Sequence, residues 1–171
     1  MVFPVQDGPV PSGEAQIRRW SVDRATLDAE IAYWLPQLAP RTKWLLPVTI
    51  DRVLARSPSL SIDPRALAVG SFQRAQVRRI GDPLFGDLRR LAAVLDAQLA
   101  VVPIAAEFLG PDAAAAAPTV AAAVINALDG TVVWFGIIDG TEKGVGSEGA
   151  IASAAQAFAR AFADKTPAGE N

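Results

Sequence analysis

The chain contains no cysteine and no histidine. Without cysteine there is no disulfide, no thiolate metal site, no iron–sulfur ligation and no cysteine nucleophile. That leaves the chain compatible with either the cytoplasm or the periplasm. Without histidine the commonest general base and transition-metal ligand are missing, and so is the usual activator of serine. A Ser-His-Asp triad is therefore excluded. Any catalysis would fall to carboxylate, lysine, tyrosine or backbone groups. Lysine is scarce as well, occurring only as Lys43, Lys143 and Lys165; the other basic residues are arginines. Long apolar runs are missing too. The best candidate, residues 99–108, is interrupted by Pro103 and Glu107 and falls short of the roughly 18–20 residues of a membrane span. No basic stretch followed by an apolar one opens the sequence, so no signal peptide is expected in the chain as given.

What is present describes a globular protein. The 171 residues are 51% hydrophobic and 20% charged, enough for one domain with a sizeable core. A net charge of −2 argues against a nucleic-acid binder, which usually carries a basic excess. The expected organisation is one domain over residues 1–165 and a disordered tail over 166–171.

Residues 2–6 form a strand candidate, followed by a Gly/Pro-rich loop over 7–13. After Arg18, Arg19 and Trp20 in a loop-like lead-in, a helix opens near Ser21 or Asp23, either of which can cap it. Leu27, Ile31, Trp34, Leu35 and Leu38 recur at helical spacing, and Pro36 should end or kink that helix. Residues 43–46 read as a buried strand, and Thr49 can cap a short helix after it. Residues 66–72 fit strand or helix. Asp82-Pro83 marks a helix start, with Leu84, Leu88, Leu91, Ala92 and Leu95 on one face. Residues 99–109 are the longest strand candidate, and 110–118 read as a loop despite five consecutive alanines. Residues 119–128 and 131–138 flank Asp129-Gly130, which predicts a hairpin with a tight type I′ turn. A glycine-rich, mobile-looking loop over 139–146 follows. Ser147 then caps a final helix whose apolar face is Ile151, Ala155, Phe158 and Phe162. The order β-α-β-α-α-β-β-β-α predicts an α/β (α+β) fold. It would be a three- to five-stranded mixed sheet with helices packed on it and a C-terminal β-hairpin followed by a helix.

Four segments carry a family resemblance: residues 2–6 (Val-Phe-Pro-Val-Gln), 43–47 (Lys-Trp-Leu-Leu-Pro), 81–103, and 128–136 (Leu-Asp-Gly-Thr-Val-Val-Trp-Phe-Gly). Taken in order they resemble the TolB N-terminal/CsgG-like domains of bacterial envelope (lipo)proteins. The resemblance spans residues 2–162. It implies a domain defined by fold and interaction, without catalytic residues or cofactor. It also implies a place on the periplasmic side of a bacterial envelope, peripheral to the membrane, docked on a protein partner in a membrane-associated complex. The chain departs from the family in having no lipidation cysteine and no signal peptide, which puts membrane anchoring in question.

Candidate interface residues follow from tryptophan and arginine, the residue types that dominate interface hot spots. They are Arg18, Arg19 and Trp20, and the run Arg74, Arg78, Arg79, Arg89 and Arg90. The ordinary reading of that run is a solvated face balanced by Asp82, Asp87 and Asp96. Trp34, Trp44 and Trp134 read as core. The alternative function is a small-molecule or peptide-binding module using the loop at 139–147, which stands between a strand and a helix start but lacks a phosphate-loop spacing. A third reading is an enzyme using carboxylates alone, drawn from Asp7, Glu14, Glu107, Asp129 and Asp139.

Overall fold

A computed structural model describes residues 1–11, 17–73 and 77–163. Arg74, Glu14, part of the loop expected over 7–13 and the tail expected over 166–171 lie outside the described residues. Among the described residues the architecture is α+β, with four α-helices and a four-stranded antiparallel sheet in the order β1-β2-β3-β4. The strands are β1 (Arg18–Ser21), β2 (Leu99–Gly110), β3 (Ala117–Asn126) and β4 (Val132–Asp139). The helices are α1 (Arg24–Leu38), α2 (Pro47–Arg56), α3 (Leu84–Leu95) and α4 (Glu148–Ala163). Contacts group the chain into two compact units. One comprises Met1–Gly13, Leu45–Ala106 and Val120–Ile137; the other comprises Glu14–Trp44, Glu107–Thr119 and Ile138–Asn171.

Strands β2 and β3 are buried along almost their whole length, which explains why their sequences read as continuous apolar runs rather than alternating ones. The strand expected over residues 2–6 is reduced to a single parallel bridge, Val2 to Val101. The ladder starts properly: Val101 N–H donates to Met1 O, and Phe3 N–H donates to Val101 O. The next donor on β2 would be Pro103, which has no N–H, and pairing resumes only irregularly where Gln6 N–H donates to Pro103 O. Gln6 then becomes a clamp. It is 1% exposed, its Nε2 donates to Pro4 O and Pro64 O, and its Oε1 accepts from Leu67 N–H. Residues 66–72, open between strand and helix in sequence, end in a 3-10 turn over Val69–Gln73.

Helix α3 starts one residue later than Asp82-Pro83 suggested. Pro83 is its cap residue, after a cis peptide bond, while the Asp82 carboxylate still accepts from Gly86 N–H at 3.0 Å. Leu84, Leu88, Leu91 and Ala92 are its buried face. Helix α2 is begun by Pro47 with Leu46 before it, so Thr49 is not the cap; a proline tolerates the first turn because that N–H has no helical partner anyway.

In the second unit, Asp23 caps α1. Its Oδ1 accepts from Ala25 and Thr26 N–H, and its Oδ2 accepts from the Thr26 hydroxyl at 2.7 Å. The helix runs through Pro36 to Leu38 rather than ending before it, because a proline in the last turn removes only one hydrogen bond. Leu27, Ile31 and Leu35 are buried, and α1 packs against α4. The α4 face is Ile151, Ala154, Ala155, Phe158, Ala159 and Phe162. Residues 43–46 are irregular, not a strand: Trp44 Nε1 donates to Ala39 O, and its ring meets Phe162 edge-on at 6.3 Å. Trp34, Trp44 and Trp134 are half-buried rather than enclosed in the core.

Candidate functional site

The hairpin between β3 and β4 exists, but its turn is not type I′. That turn needs two positive φ angles, and only Gly130 has one, at 78°. Gly130 N–H donates to Asn126 O and Asn126 N–H to Thr131 O, leaving a four-residue loop over 127–130. Asp129 Oδ1 accepts from Thr131 N–H at 2.8 Å. Bonds from the Thr131 backbone and side chain, with the nearby Arg79 charge, hold the Asp129 carboxyl below its usual range.

This turn gathers residues distant in sequence. Residues 78–80 run antiparallel beside it: Ile80 N–H donates to Gly130 O and Val132 N–H to Arg78 O, both at 2.9 Å. Arg79 Nε donates to Asp129 O at 2.8 Å, which ties that side chain to the turn. From α3, Phe85 reaches the turn so closely that a Cβ on Gly130 would stand 3.1 Å from its Cδ2. The Arg89 guanidinium lies 6.0 Å over that ring. Leu128, at the tip, is 56% exposed. Arg78, Arg79 and Arg89 are exposed and have no ion-pair partner among the described residues. The turn thus carries Phe85 with Arg89 over its ring, Arg79 bonded to Asp129 O and an exposed Leu128, and Arg78 is exposed on the segment beside it.

The other sequence candidates are placed differently. Arg90 is held by Asp87 at 2.6 Å and by Gly86 O. Arg18, Arg19 and Trp20 lie on strand β1, not on a loop-like lead-in. Arg18 is exposed, Trp20 is half-buried opposite Phe108, and Arg19 pairs with Glu107 at 2.6 Å. Glu107, the acid inside an apolar strand, is thereby accounted for by an arginine. Of the remaining carboxylates, Asp139 accepts from the Thr119 hydroxyl at 2.7 Å.

The glycine-rich loop is tied down. Gly140 N–H donates to Pro118 O, Gly144 to Ala116 O, Val145 to Ala113 O and Ser147 to Gly144 O, while Glu142 N–H donates to Ser153 Oγ. Those five backbone donors are therefore spent within the protein rather than on a phosphate. Ser147 caps α4 as expected, its Oγ accepting from Ala150 N–H at 3.4 Å. Beside the loop is a half-open cleft of about 430 Å³. Its lining includes buried Phe108 and Ile151 and exposed Asp23 and Glu148. Two carboxylates there oppose an anionic ligand.

One surface escaped sequence reasoning. On β4, Val133, Phe135 and Ile137 are 60%, 38% and 47% exposed. The strand has no polar residue from Val132 to Ile138 to mark an outward face, so its alternation is invisible in the letters. Comparison of the chain with family models, with characterised proteins and with solved structures finds no match.

Proposed function

We propose that this chain is a non-enzymatic docking module, an accessory or assembly subunit that meets a larger membrane-associated complex on the periplasmic side of a bacterial envelope. The observation that carries the docking role is the grouping at the hairpin turn of Arg79 on Asp129 O, Arg89 over the Phe85 ring and exposed Leu128, with exposed Arg78 on the segment beside it. Exposed apolar and guanidinium groups at one turn fit an acidic protein surface with an apolar contact of its own. The compartment rests on the resemblance of four segments to the TolB N-terminal/CsgG-like domains. No helix among the described residues is long and apolar enough to cross a membrane, so docking is the route to the membrane in this reading.

The test compares complexes purified from the source cell with tagged wild type and with Arg78→Ala/Arg89→Ala/Leu128→Ser, both checked by circular dichroism melting. Specific membrane-complex components should fall at least about tenfold in the variant, the equivalent of about 1.4 kcal/mol. Equal recovery with an intact fold would refute the patch.

A second reading has one observation behind it, the cleft beside Val145 and Gly146. A cleft of that size suits a small molecule or a peptide side chain. With Asp23 and Glu148 in its lining, the ligand would be cationic.

A further inference from the structure

Two surfaces of this chain are opposite in charge, and both are partly apolar. The hairpin turn carries Leu128, 56% exposed, Arg79 bonded to Asp129 O, and Arg89 over the Phe85 ring, with exposed Arg78 on the segment beside it. Three guanidinium groups there outnumber the carboxylates of Asp129, in the turn, and Asp82, before α3. The cleft of about 430 Å³ is lined by apolar Val22, Phe108, Val145 and Ile151 and by the carboxylates of Asp23 and Glu148. Among the described residues no lysine or arginine lines it. Asp23 keeps its charge to low pH, because bonds from the Thr26 hydroxyl and backbone hold its carboxyl below the usual range. The turn lies wholly in the first unit and the cleft wholly in the second.

We infer that the turn of one copy docks in the cleft of a second copy of this chain. Leu128 supplies the apolar contact to the side chains lining the cleft, and the guanidinium groups meet Asp23 and Glu148. The turn needs an acidic surface with an apolar contact, the cleft needs a cation, and each has what the other lacks. A cleft of this size admits a few side chains, so the contact is small and weak, in the class of transient interfaces. It is heterologous, since the two surfaces differ. Blocking one surface on every copy therefore abolishes association, whereas blocking the turn on one copy and the cleft on another leaves one contact between them. The contact rests on the docking reading of the turn and gives it a second partner, the chain itself. Pure protein separates the two, since self-association can fail while capture of a membrane complex stands, and the reverse.

The test is sedimentation equilibrium of the pure protein over about 1–500 μM, a span that reads micromolar dissociation constants. Wild type should associate. Leu128→Asp replaces the apolar contact with a carboxylate, and Glu148→Arg places a cation in the cleft. Each variant alone should associate at least about tenfold more weakly than wild type. Mixed one to one, the two should form a heterodimer, because the first keeps an intact cleft and the second an intact turn. Arg89→Glu and Val145→Arg are a second pair for turn and cleft and should behave alike. All four positions are exposed, so melting curves should match wild type. A monomeric wild type, folded variants that associate as wild type does, or folded variants whose mixture stays monomeric would each overturn the inference.

Discussion

Gly130 and Gln6 are the residues on which the first unit most visibly depends. Gly130 combines a left-handed φ with a neighbour, Phe85, that leaves little room for a Cβ. Gly130→Val should destabilise the fold by about 1–3 kcal/mol, read as a lower urea midpoint. An unchanged midpoint would mean the turn relaxes freely. Gln6→Ala would strand Leu67 N–H and two carbonyls in a dry environment, at a cost of about 3 kcal/mol. Asp51 supplies a smaller, pH-dependent effect. Its bidentate contact with Arg65, at 2.8 and 2.9 Å, holds its carboxyl below the usual 3.8. A depressed folded value means the contribution is complete at neutral pH and is lost as pH falls below that usual value through the folded one. Asp51→Asn should therefore flatten the acid side of the stability–pH curve slightly, since the pair is largely exposed and screened. An identical acid limb would show the pair contributes nothing. Sequence alone marked Gly130 through its Asp-Gly dipeptide, but Gln6 carried no signal, because its importance comes from a loop some sixty positions away.

Among elements, helices with a strong local cause were legible. Helix α1 was predicted from its spacing and from Ser21 or Asp23, of which Asp23 is the cap. Asp23→Ala should cost about 1–2 kcal/mol in thermal or chemical melting, and no loss would mean solvent replaces the cap. Strand β2 and the hairpin strands were found within two residues of their bounds. The failures share a cause. Residues 2–6 have strand character but meet Pro103, and residues 18–20 look like loop but pair with β2. Residues 43–46 are apolar without a strand to join. Strand status depends on a partner that lies elsewhere in the chain, so local letters determine it poorly. The loop over 139–146 looked mobile because it is glycine-rich, yet the N–H groups of Gly140, Glu142, Gly144 and Val145 are bonded to neighbouring residues.

At the scale of the molecule, ligand chemistry is bounded by composition. With neither histidine nor cysteine, and no cluster of three potential ligands among the described residues, the protein should hold no transition metal tightly. Zinc added and then dialysed away should leave well under one equivalent by metal analysis; a full equivalent retained would contradict this. The candidate site had mixed legibility. Arg78, Arg79 and Arg89 were picked out by residue type alone, and the fold then brought Arg79 and Arg89 to one turn, with Arg78 on the segment beside it, while assigning Arg90 to Asp87 and Arg19 to Glu107.

The sequence by itself determined the fold class, the order of helices and later strands, the hairpin at Asp129-Gly130, and the exclusion of histidine and cysteine chemistry. These follow from periodicity, capping and composition, which act within a few residues of one another. Tertiary structure alone decided which arginines are held in ion pairs, which turn closes the hairpin, that β1 pairs with β2, and that Val133, Phe135 and Ile137 face outward. Each of those depends on what the rest of the chain places against a residue. An apolar side chain in a strand has the same local preference whether the fold covers it or leaves it for another surface.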